Sequence, residues 1–324
     1  MTPRLGENNP NIIYTKYETP SAFRKAGAFL PRDLIKKGVY EYRLSPYMSC
    51  SKRCRYCFEP HNEFVHEDEV KIKTNTVSVL KSNIPGLDKT KAILLDGYDC
   101  ETAEQKERII RSSLKVIVEY GIPLLIQTKS DLVLRDLDLL EELNDSGVFV
   151  NVSFSLTSLN QDHARIFEPY TCSPLDRLEA MKKISNAGIQ TGIILMPVLP
   201  FISDADEELD LLFSRSAENG CEYVIPEPLR VTSSGKQRDM CFGIIRKHFP
   251  ALVKRYEELY PARQFGPKFG SGPRDNAYLS GLLKKIDEVS RRYGLPTVFP
   301  GVPEPRSERK EPISRRQCTL DRFM

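Results

Sequence analysis

Residues 50–57 read CSKRCRYC and place three cysteines in the spacing C-x3-C-x2-C. Thiolates are soft ligands that select zinc, copper or iron–sulfur clusters. A closed structural metal site needs four ligands, and no fourth cysteine lies near in the sequence. Cys50, Cys54 and Cys57 therefore indicate a metal centre with one coordination position left open for chemistry.

His61 leaves a second interpretation open. It follows Cys57 at the spacing C-x3-H, so that Cys50, Cys54, Cys57 and His61 together would form a Cys3His zinc site. Short metal-binding patterns also occur by chance. The three-cysteine spacing favours the open metal centre, and the zinc site stays the alternative.

The rest of the chain has the composition of an ordinary globular protein. Its 324 residues are 40% hydrophobic and 28% charged, which is ample material for a core. No apolar run approaches the length of a bilayer span, and the polar start MTPRLGENNP lacks a signal-peptide core. Eight cysteines without regular pairing are typical of a reducing compartment. We expect a cytoplasmic protein with no membrane segment.

From residue 41 to about residue 230, short β-rich runs alternate with amphipathic helices. The expected strands cover residues 42–48, 92–96, 123–128, 148–155, 189–196 and 223–226. The expected helices cover residues 70–82, 101–120, 136–146, 174–187 and 206–219, with Ser173 as the N-cap of the fourth and glycines 121, 147, 188 and 220 at helix ends. Six strands with intervening helices imply a parallel sheet, either an open doubly wound sheet or an incomplete (β/α)6 barrel.

The cysteine spacing, with the aromatic Tyr56 before the last cysteine, resembles the cluster motif of the radical S-adenosylmethionine (radical SAM) superfamily. The resemblance implies a partial (β/α)6 TIM barrel, a [4Fe-4S] cluster on the three cysteines, and S-adenosylmethionine on the fourth iron. It also implies reductive cleavage of S-adenosylmethionine to methionine and a 5′-deoxyadenosyl radical. The electron would come from an external one-electron donor of the flavodoxin or ferredoxin type.

Further motifs narrow the resemblance to the spore photoproduct lyase-like proteins, a subgroup often labelled DNA repair photolyase-related. They are TKSDLVLRD at 128–136, SLT at 155–157, FEP at 167–169 and P-x-x-R-L at 174–178. This subgroup suggests a nucleic-acid lesion as the substrate. A radical reaction on a small molecule or peptide, and a non-enzymatic zinc- or cluster-stabilised binding protein, are the alternatives.

The resemblance also implies contacts to the cofactor near the first two strands. Tyr56 is expected to pack beside the adenine, and Phe58 to lend backbone contacts. Asp96 and Tyr98 lie in the run Asp-Gly-Tyr, where the subgroup often has Asp-Pro-Tyr and the superfamily usually has Gly-Gly-Glu. They are expected to help hold the methionine amine.

Two further contacts are implied at later strand ends. Lys129 is expected to form a salt bridge with the methionine carboxylate, and Ser155 to hydrogen-bond the ribose or the carboxylate. Taken without the cysteine motif, a lysine at a strand end is more often a solvated surface charge, and a serine there is usually a turn residue.

Cys100 lies 43 residues after Cys57, just past the second strand. The resemblance places there a cysteine that donates a hydrogen atom, because a weak thiol S–H bond can quench a substrate radical. The other interpretation is a small buried hydrophobic residue, since free cysteine is among the most buried residue types.

The last third of the chain is basic. Residues 228–324 carry 20 lysines and arginines against 10 acidic residues, whereas residues 1–227 carry 27 against 34. The asymmetry, and the glycine-rich loop of aromatics and cations at 264–274, favour contact with a nucleic acid, although such charges often only solvate helix faces. We expect an N-terminal extension (1–40), a barrel core (41–230) and a basic segment (231–324) over the barrel mouth. Its proline-rich end, residues 303–324, is expected to be a tail or a strap.

Overall fold

The computed structural model describes residues 9–25, 40–58, 66–262 and 270–300, and its largest feature is a mostly parallel seven-stranded sheet. In chain order the strands are β1 (Ile13–Tyr17), β2 (Phe23–Lys25), β3 (Tyr40–Leu44), β4 (Tyr47–Met48), β5 (Glu69–Lys73), β6 (Ala92–Leu95), β7 (Leu124–Thr128), β8 (Val150–Ser155), β9 (Gln190–Val198) and β10 (Val224–Pro228). The α-helices are α1 (Thr76–Asn83), α2 (Glu101–Glu107), α3 (Ile109–Tyr120), α4 (Leu137–Asp145), α5 (Gln161–Phe167), α6 (Pro174–Asn186), α7 (Asp206–Glu218), α8 (Lys236–His248), α9 (Val253–Leu259) and α10 (Asn276–Tyr293).

The order of the strands identifies the sheet as a partial barrel. From edge to edge they lie as β10, β9, β8, β7, β6, β3 and β2, and all pairs from β3 to β10 are parallel. Consecutive parallel strands of this sheet therefore lie side by side, whereas a doubly wound sheet reverses its order at a switch point. Each new parallel strand is added on the same side of the preceding one. Because the crossovers are right-handed, the connecting helices then all lie on one face of the sheet. The expected partial (β/α)6 barrel is confirmed.

A small apolar cluster closes the amino-terminal end of the barrel. Tyr40, Ala92 and Tyr223 lie at or just before the first residues of their strands, and Phe299 packs among them. Tyr223 lies so close to Gly192 that an added Cβ there would be 2.2 Å from the Tyr223 ring. Side chains thus fill this end, and polar residues are left for the carboxyl ends of the strands, where barrel active sites lie.

A second sheet replaces part of an expected helix. β5 pairs in parallel with β1 and antiparallel with β4. The helix expected over residues 70–82 is wrong for its first residues, because Val70 and Ile72 are buried while Lys71 between them is not, an alternation typical of a strand. The helix begins only at Thr76. The strand expected over residues 42–48 is divided into β3 and β4, because β3 pairs within the seven-stranded sheet and β4 pairs with β5 in the second sheet.

The helix expected over residues 101–120 is broken at Arg108. This residue has a φ of 53°, in the left-handed region, and it separates α2 from α3. The buried carboxylate of Glu104 accepts hydrogen bonds from the main-chain N–H groups of Ile110, at 2.9 Å, and Arg111, at 3.4 Å. Glu104 thereby satisfies donors at the start of α3 that lack partners within the helix. Helical periodicity in the sequence does not reveal such a cap.

The remaining expected helices are confirmed as α4, α6 and α7. Ser173 caps α6, and its hydroxyl accepts a hydrogen bond from the N–H of Asp176 at 3.1 Å. The four glycines expected at helix ends all have positive φ, as a left-handed helix terminus requires.

Segments of the carboxyl-terminal part of the chain pack at both ends of the barrel. α8 packs with Cys54 and Tyr56 of the cysteine loop, which we define as residues 49–58. α10 instead packs along α7, and the segment after it reaches Phe299 at the opposite end of the barrel. Tyr278, at the start of α10, packs against the cluster that contains Cys54 and Tyr56. The expectation that residues 231–324 cover the barrel mouth stays a prediction. The division into residues 1–40, 41–230 and 231–324 stays a prediction.

Some sequence features lie outside the described residues. They are His61, most of the basic loop at 264–274, and the proline-rich end at 303–324. Within the described ranges, none of the helices combines the length and the apolar character needed to cross a bilayer.

Candidate functional site

The three cysteines lie on the loop that follows β4, near the carboxyl ends of β6 and β7. Cys54 is buried, whereas Cys50 and Cys57 are partly exposed. Ser49 and Arg53 have φ values of 70° and 46°, and these left-handed residues curl the loop. The N–H of Cys57 donates to the carbonyl oxygen of Cys54 at 3.0 Å. The thiols are thus held on a compact turn.

Two buried basic side chains brace the cysteine loop. Arg53 donates to the hydroxyl of Ser49 at 2.9 Å and to the carbonyl oxygen of Cys50 at 2.6 Å. Lys52 is 2% exposed and forms an ion pair with Glu101 at 2.7 Å. Both cations thus link the loop to neighbouring protein groups.

The thiols suit an iron–sulfur cluster. No three histidine, cysteine or acidic side chains among the described residues converge closely enough to hold one metal ion. In a cluster each thiolate binds a separate iron, so convergence on one point is not needed. The N–H of Lys52 lies 3.4 Å from Cys50 Sγ, a hydrogen bond of the kind that tunes cluster potentials. The pKa of the Cys50 thiol is raised mainly by its hydrogen bond with Cys100 and secondly by burial. Burial is the main cause that raises the pKa of the Cys54 thiol.

Lys129 lies beside the cysteine loop. Its ammonium nitrogen is 5.8 Å from the centre of the Tyr56 ring and 3.1 Å from Glu168 Oε1. The nitrogen is buried, and it finds no hydrogen-bond partner of good geometry among the described residues. The main-chain N–H of Lys129 donates to Asp99 at 2.7 Å. The structure therefore brings together two of the expected cofactor contacts, Tyr56 and Lys129.

The other expected contacts occupy different positions. Asp96 at the end of β6 accepts hydrogen bonds from Arg43 and, at 3.0 Å, from Ser45. Ser155 at the end of β8 is 7% exposed, and its carbonyl oxygen accepts from Arg177 at 3.0 Å. Phe58 is half-buried directly after Cys57. These residues all lie at strand ends or on the cysteine loop, as the fold requires of a site.

The Tyr98 side chain lies in the core between the sheet and the helices. It is fully buried, and its hydroxyl donates to Asp136 at 3.0 Å. Any contact of Tyr98 with a cofactor would have to come from its main chain.

The Cys100 thiol also belongs to the outer core. It is 2% exposed and donates to the carbonyl oxygen of Ser49 at 3.6 Å, next to Cys50. Tyr47 and Ile109 belong to the same buried cluster. The expected role of Cys100 as a hydrogen-atom donor stays a prediction, and it requires the thiol to turn away from Ser49.

Sequence reasoning assigned no role to Glu168, Arg177 or Gln237. Glu168 and Arg177 form a buried ion pair at 2.6 Å, and Gln237 donates to the carbonyl oxygen of Tyr56 at 2.9 Å. The runs FEP at 167–169 and P-x-x-R-L at 174–178 did contain the first two. Their pairing depends on the fold, so the motifs alone did not reveal it.

The sequence comparisons identify the family. A model described as the Radical SAM superfamily matches residues 44–213. An uncharacterized protein of Mycobacterium tuberculosis is 32% identical over 267 residues, covering 79% of this chain and 75% of that protein. An uncharacterized protein of Methanocaldococcus jannaschii is 27% identical over 217 residues, covering 60% of this chain and 80% of that protein.

Solved structures of spore photoproduct lyase share the fold. A point variant aligns with a TM-score of 0.61 at 17% identity, covering 88% of this chain and 82% of the lyase. The lyase complexed with dinucleoside spore photoproduct aligns with a TM-score of 0.59 at 17% identity, covering 89% and 80%. At this level of identity the likeness concerns the fold alone.

The matched residues include the three cysteines and strands β6 to β9 of the barrel. The family uses a [4Fe-4S] cluster and S-adenosylmethionine as cofactors, and its enzymes need an external electron donor. The chain belongs to the radical SAM superfamily and is an enzyme of that family.

Proposed function

We propose that Cys50, Cys54 and Cys57 hold the [4Fe-4S] cluster, and that the carboxyl ends of β6, β7 and β8 hold S-adenosylmethionine beside it. The observation that carries this proposal is the buried ammonium of Lys129, which lies beside Tyr56 and is paired with Glu168 Oε1 at 3.1 Å. An ammonium group has three donors, so that the methionine carboxylate can supply a further acceptor. When bound, the reduced cluster supplies the electron that cleaves the sulfonium–C5′ bond and yields the 5′-deoxyadenosyl radical.

The side chains around the cysteines have separate tasks in this proposal. Lys129 binds the methionine carboxylate, and Asp96 accepts from the methionine amine while remaining paired with Arg43. Ser155 binds the ribose or the carboxylate, and Tyr56 and Phe58 border the adenine. Because Cys54 and Tyr56 are 6% and 7% exposed, the loop keeps water from this side of the site. A flavodoxin or ferredoxin is the electron donor that we propose.

We further propose a nucleic-acid lesion as the substrate. The support is the excess of cations after residue 228 and the position of α8 against the cysteine loop. On α8, the guanidinium groups of Arg238 and Arg246 lie 4.3 Å and 5.7 Å from the centre of the Phe242 ring. The Lys236 side chain at the start of α8 is 70% exposed. Cations beside the mouth of the barrel suit a phosphodiester backbone.

Anaerobic reconstitution tests the radical chemistry. The protein is loaded with iron and sulfide, reduced with dithionite in the presence of S-adenosylmethionine, and assayed for 5′-deoxyadenosine. We expect product from the wild-type protein and none from Cys54→Ala, with Cys221→Ala as a control because Cys221 is a buried thiol outside the cluster that contains the cysteine loop. Binding of one zinc without iron or sulfide would overturn the proposal.

Binding to oligonucleotides tests the proposed substrate class. We expect the reconstituted enzyme to bind single-stranded or duplex DNA with an affinity that falls steeply as salt rises. Replacing Lys236, Arg246 and Lys247 together with glutamine is expected to flatten that salt dependence. No binding at low salt would instead favour a small molecule or a peptide as the substrate.

A further inference from the structure

Glu168 is a buried carboxylate that joins three parts of the candidate site. Its Oε1 lies 3.1 Å from the Lys129 ammonium and accepts hydrogen bonds from Tyr56 and, at 2.9 Å, from Thr157. Its Oε2 lies 2.6 Å from the guanidinium of Arg177. The Glu168 side chain is 3% exposed, so solvent screens these charges little.

The contacts of Arg177 show that it anchors the carboxylate. The Arg177 side chain is 1% exposed, and it donates to the carbonyl oxygens of Ser155, at 3.0 Å, and Cys172, at 2.9 Å. It also donates to the hydroxyl of Thr171 at 2.5 Å. With its position set by main-chain acceptors, Arg177 holds Glu168 against the end of β8.

Two buried cations share one carboxylate in this group. Lys129 and Arg177 both form their side-chain ion pairs with Glu168. Arg177 donates to three further oxygen atoms, whereas the Lys129 ammonium makes no hydrogen bond of good geometry among the described residues beyond its 3.1 Å contact with Glu168. Asp99 bonds the main-chain N–H of Lys129 rather than its ammonium. The Lys129 ammonium therefore has donors that a second anion can accept.

Glu168 keeps its charge in this setting. Burial by itself raises the pKa of Glu168, but the positive charges of Arg177 and Lys129 outweigh it and hold that pKa well below its usual range. The Glu168 carboxylate is consequently ionised at neutral pH and remains paired with the Lys129 ammonium.

We infer that Glu168, anchored by Arg177, is a positioning residue that holds the Lys129 ammonium beside Tyr56 and directs its unused donors to the carboxylate of S-adenosylmethionine. The inference rests on the proposed function and adds how the site selects a carboxylate. A lysine side chain is flexible and loses conformational entropy when it is ordered. Glu168 supplies that order before the cofactor arrives.

Calorimetric titration of the reconstituted enzyme without reductant tests the inference, because no turnover occurs. The two probes are S-adenosylmethionine and its decarboxylated analogue. We expect the wild-type enzyme to bind the first at least about tenfold more tightly, as a charge-assisted hydrogen bond implies. Lys129→Met is expected to lower this preference about tenfold and Glu168→Gln to lower it about threefold or more, whereas the part that the cluster iron contributes is unchanged.

The double variant Lys129→Met/Glu168→Gln distinguishes positioning from a general structural role. If Glu168 acts through Lys129, its substitution has no further effect on the preference once the lysine is gone. If the double variant instead lowers the preference by the product of the two single-variant effects, the inference is wrong. Glu179→Gln, on the exposed face of α6, is the matched control and keeps the wild-type preference.

A milder variant guards against misfolding of Glu168→Gln. Thr157→Val removes one hydrogen bond to the Glu168 oxygen that faces Lys129, and we expect the preference to fall about two- to threefold. If Glu168→Gln and Thr157→Val both keep the full wild-type preference, the inference is wrong, whereas the proposed function still stands. Wild-type enzyme that binds no S-adenosylmethionine would overturn the proposed function itself.

Discussion

The side-chain amide of Gln237 donates a hydrogen bond to the carbonyl oxygen of Tyr56, with a nitrogen–oxygen distance of 2.9 Å. Gln237 is 3% exposed, and it also donates to the carbonyl oxygen of Arg230 at 3.2 Å. Its own oxygen accepts from the N–H of Thr232 at 3.0 Å. One side chain of α8 thus ties the cysteine loop to the connection that follows β10.

Gln237→Leu is expected to weaken this tie. The substitution leaves two buried carbonyl oxygens without their donor, which costs roughly 1–3 kcal/mol of unfolding free energy. We also expect faster release of iron from the reconstituted protein to a chelator, because the cysteine loop loses its support. Denaturant unfolding and the chelation rate measure the two effects. Gln105→Leu, at an exposed position of α2, is the control, and equal stability of the two variants would contradict the role of Gln237.

Cys100→Ser is expected to keep its cluster. The Cys100 thiol donates to the Ser49 carbonyl oxygen, and a serine hydroxyl can donate to the same acceptor. We therefore expect iron content and 5′-deoxyadenosine formation close to those of the wild type, whereas Cys54→Ser loses both. Loss of iron from Cys100→Ser would show that Cys100 is itself a cluster ligand.

Gly192→Ala is expected to destabilise the barrel. The added methyl group would lie 2.2 Å from the Tyr223 ring, and overpacking of this kind costs about 1–3 kcal/mol. Tyr223→Leu should cost less in the Gly192→Ala background than in the wild type, since the two sites are in contact. Denaturant midpoints of the four proteins give the comparison.

Gly281→Ala is expected to have the opposite effect. Gly281 lies within α10, and an added Cβ meets no atom of the described residues within 4 Å. Alanine is more favourable than glycine in a helix by roughly 0.5–1 kcal/mol. A higher unfolding midpoint for Gly281→Ala, measured beside Gly192→Ala, checks both expectations, and a lower one would contradict the open surroundings of Gly281.

Phe299→Ala tests whether the chain after α10 closes the amino-terminal end of the barrel. The side chain is fully buried and packs edge-on against Tyr223, with ring centres 5.1 Å apart. Truncation of a buried phenylalanine costs about 3–5 kcal/mol. Val298→Ala is the control, because Val298 is 45% exposed. Similar thermal midpoints for the two variants would show that this end of the barrel does not depend on Phe299.

Local patterns in the sequence predicted much of the fold. The alternation of strands and helices from β6 to β10 is encoded in periodicities of two and 3.6 residues, which reflect hydrogen bonding and burial within each element. The same patterns failed at β5, where a strand of five residues precedes a helix, and at Arg108, where a side chain caps the second helix. In both places a distant partner decides the local structure.

The sequence by itself indicated the type of chemistry, since Cys50, Cys54 and Cys57 lie within eight residues in the spacing of the superfamily's cluster motif. Only the tertiary structure decided how that site is supported. Glu168 meets Tyr56 across 112 residues of sequence and meets Lys129 from a different strand end. Such contacts depend on the distance between charges in space, because Coulomb energy and burial follow the fold and not the spacing along the chain. For that reason the three candidate cluster ligands could be recognised before folding was considered, and the residue that we propose to position Lys129 could not.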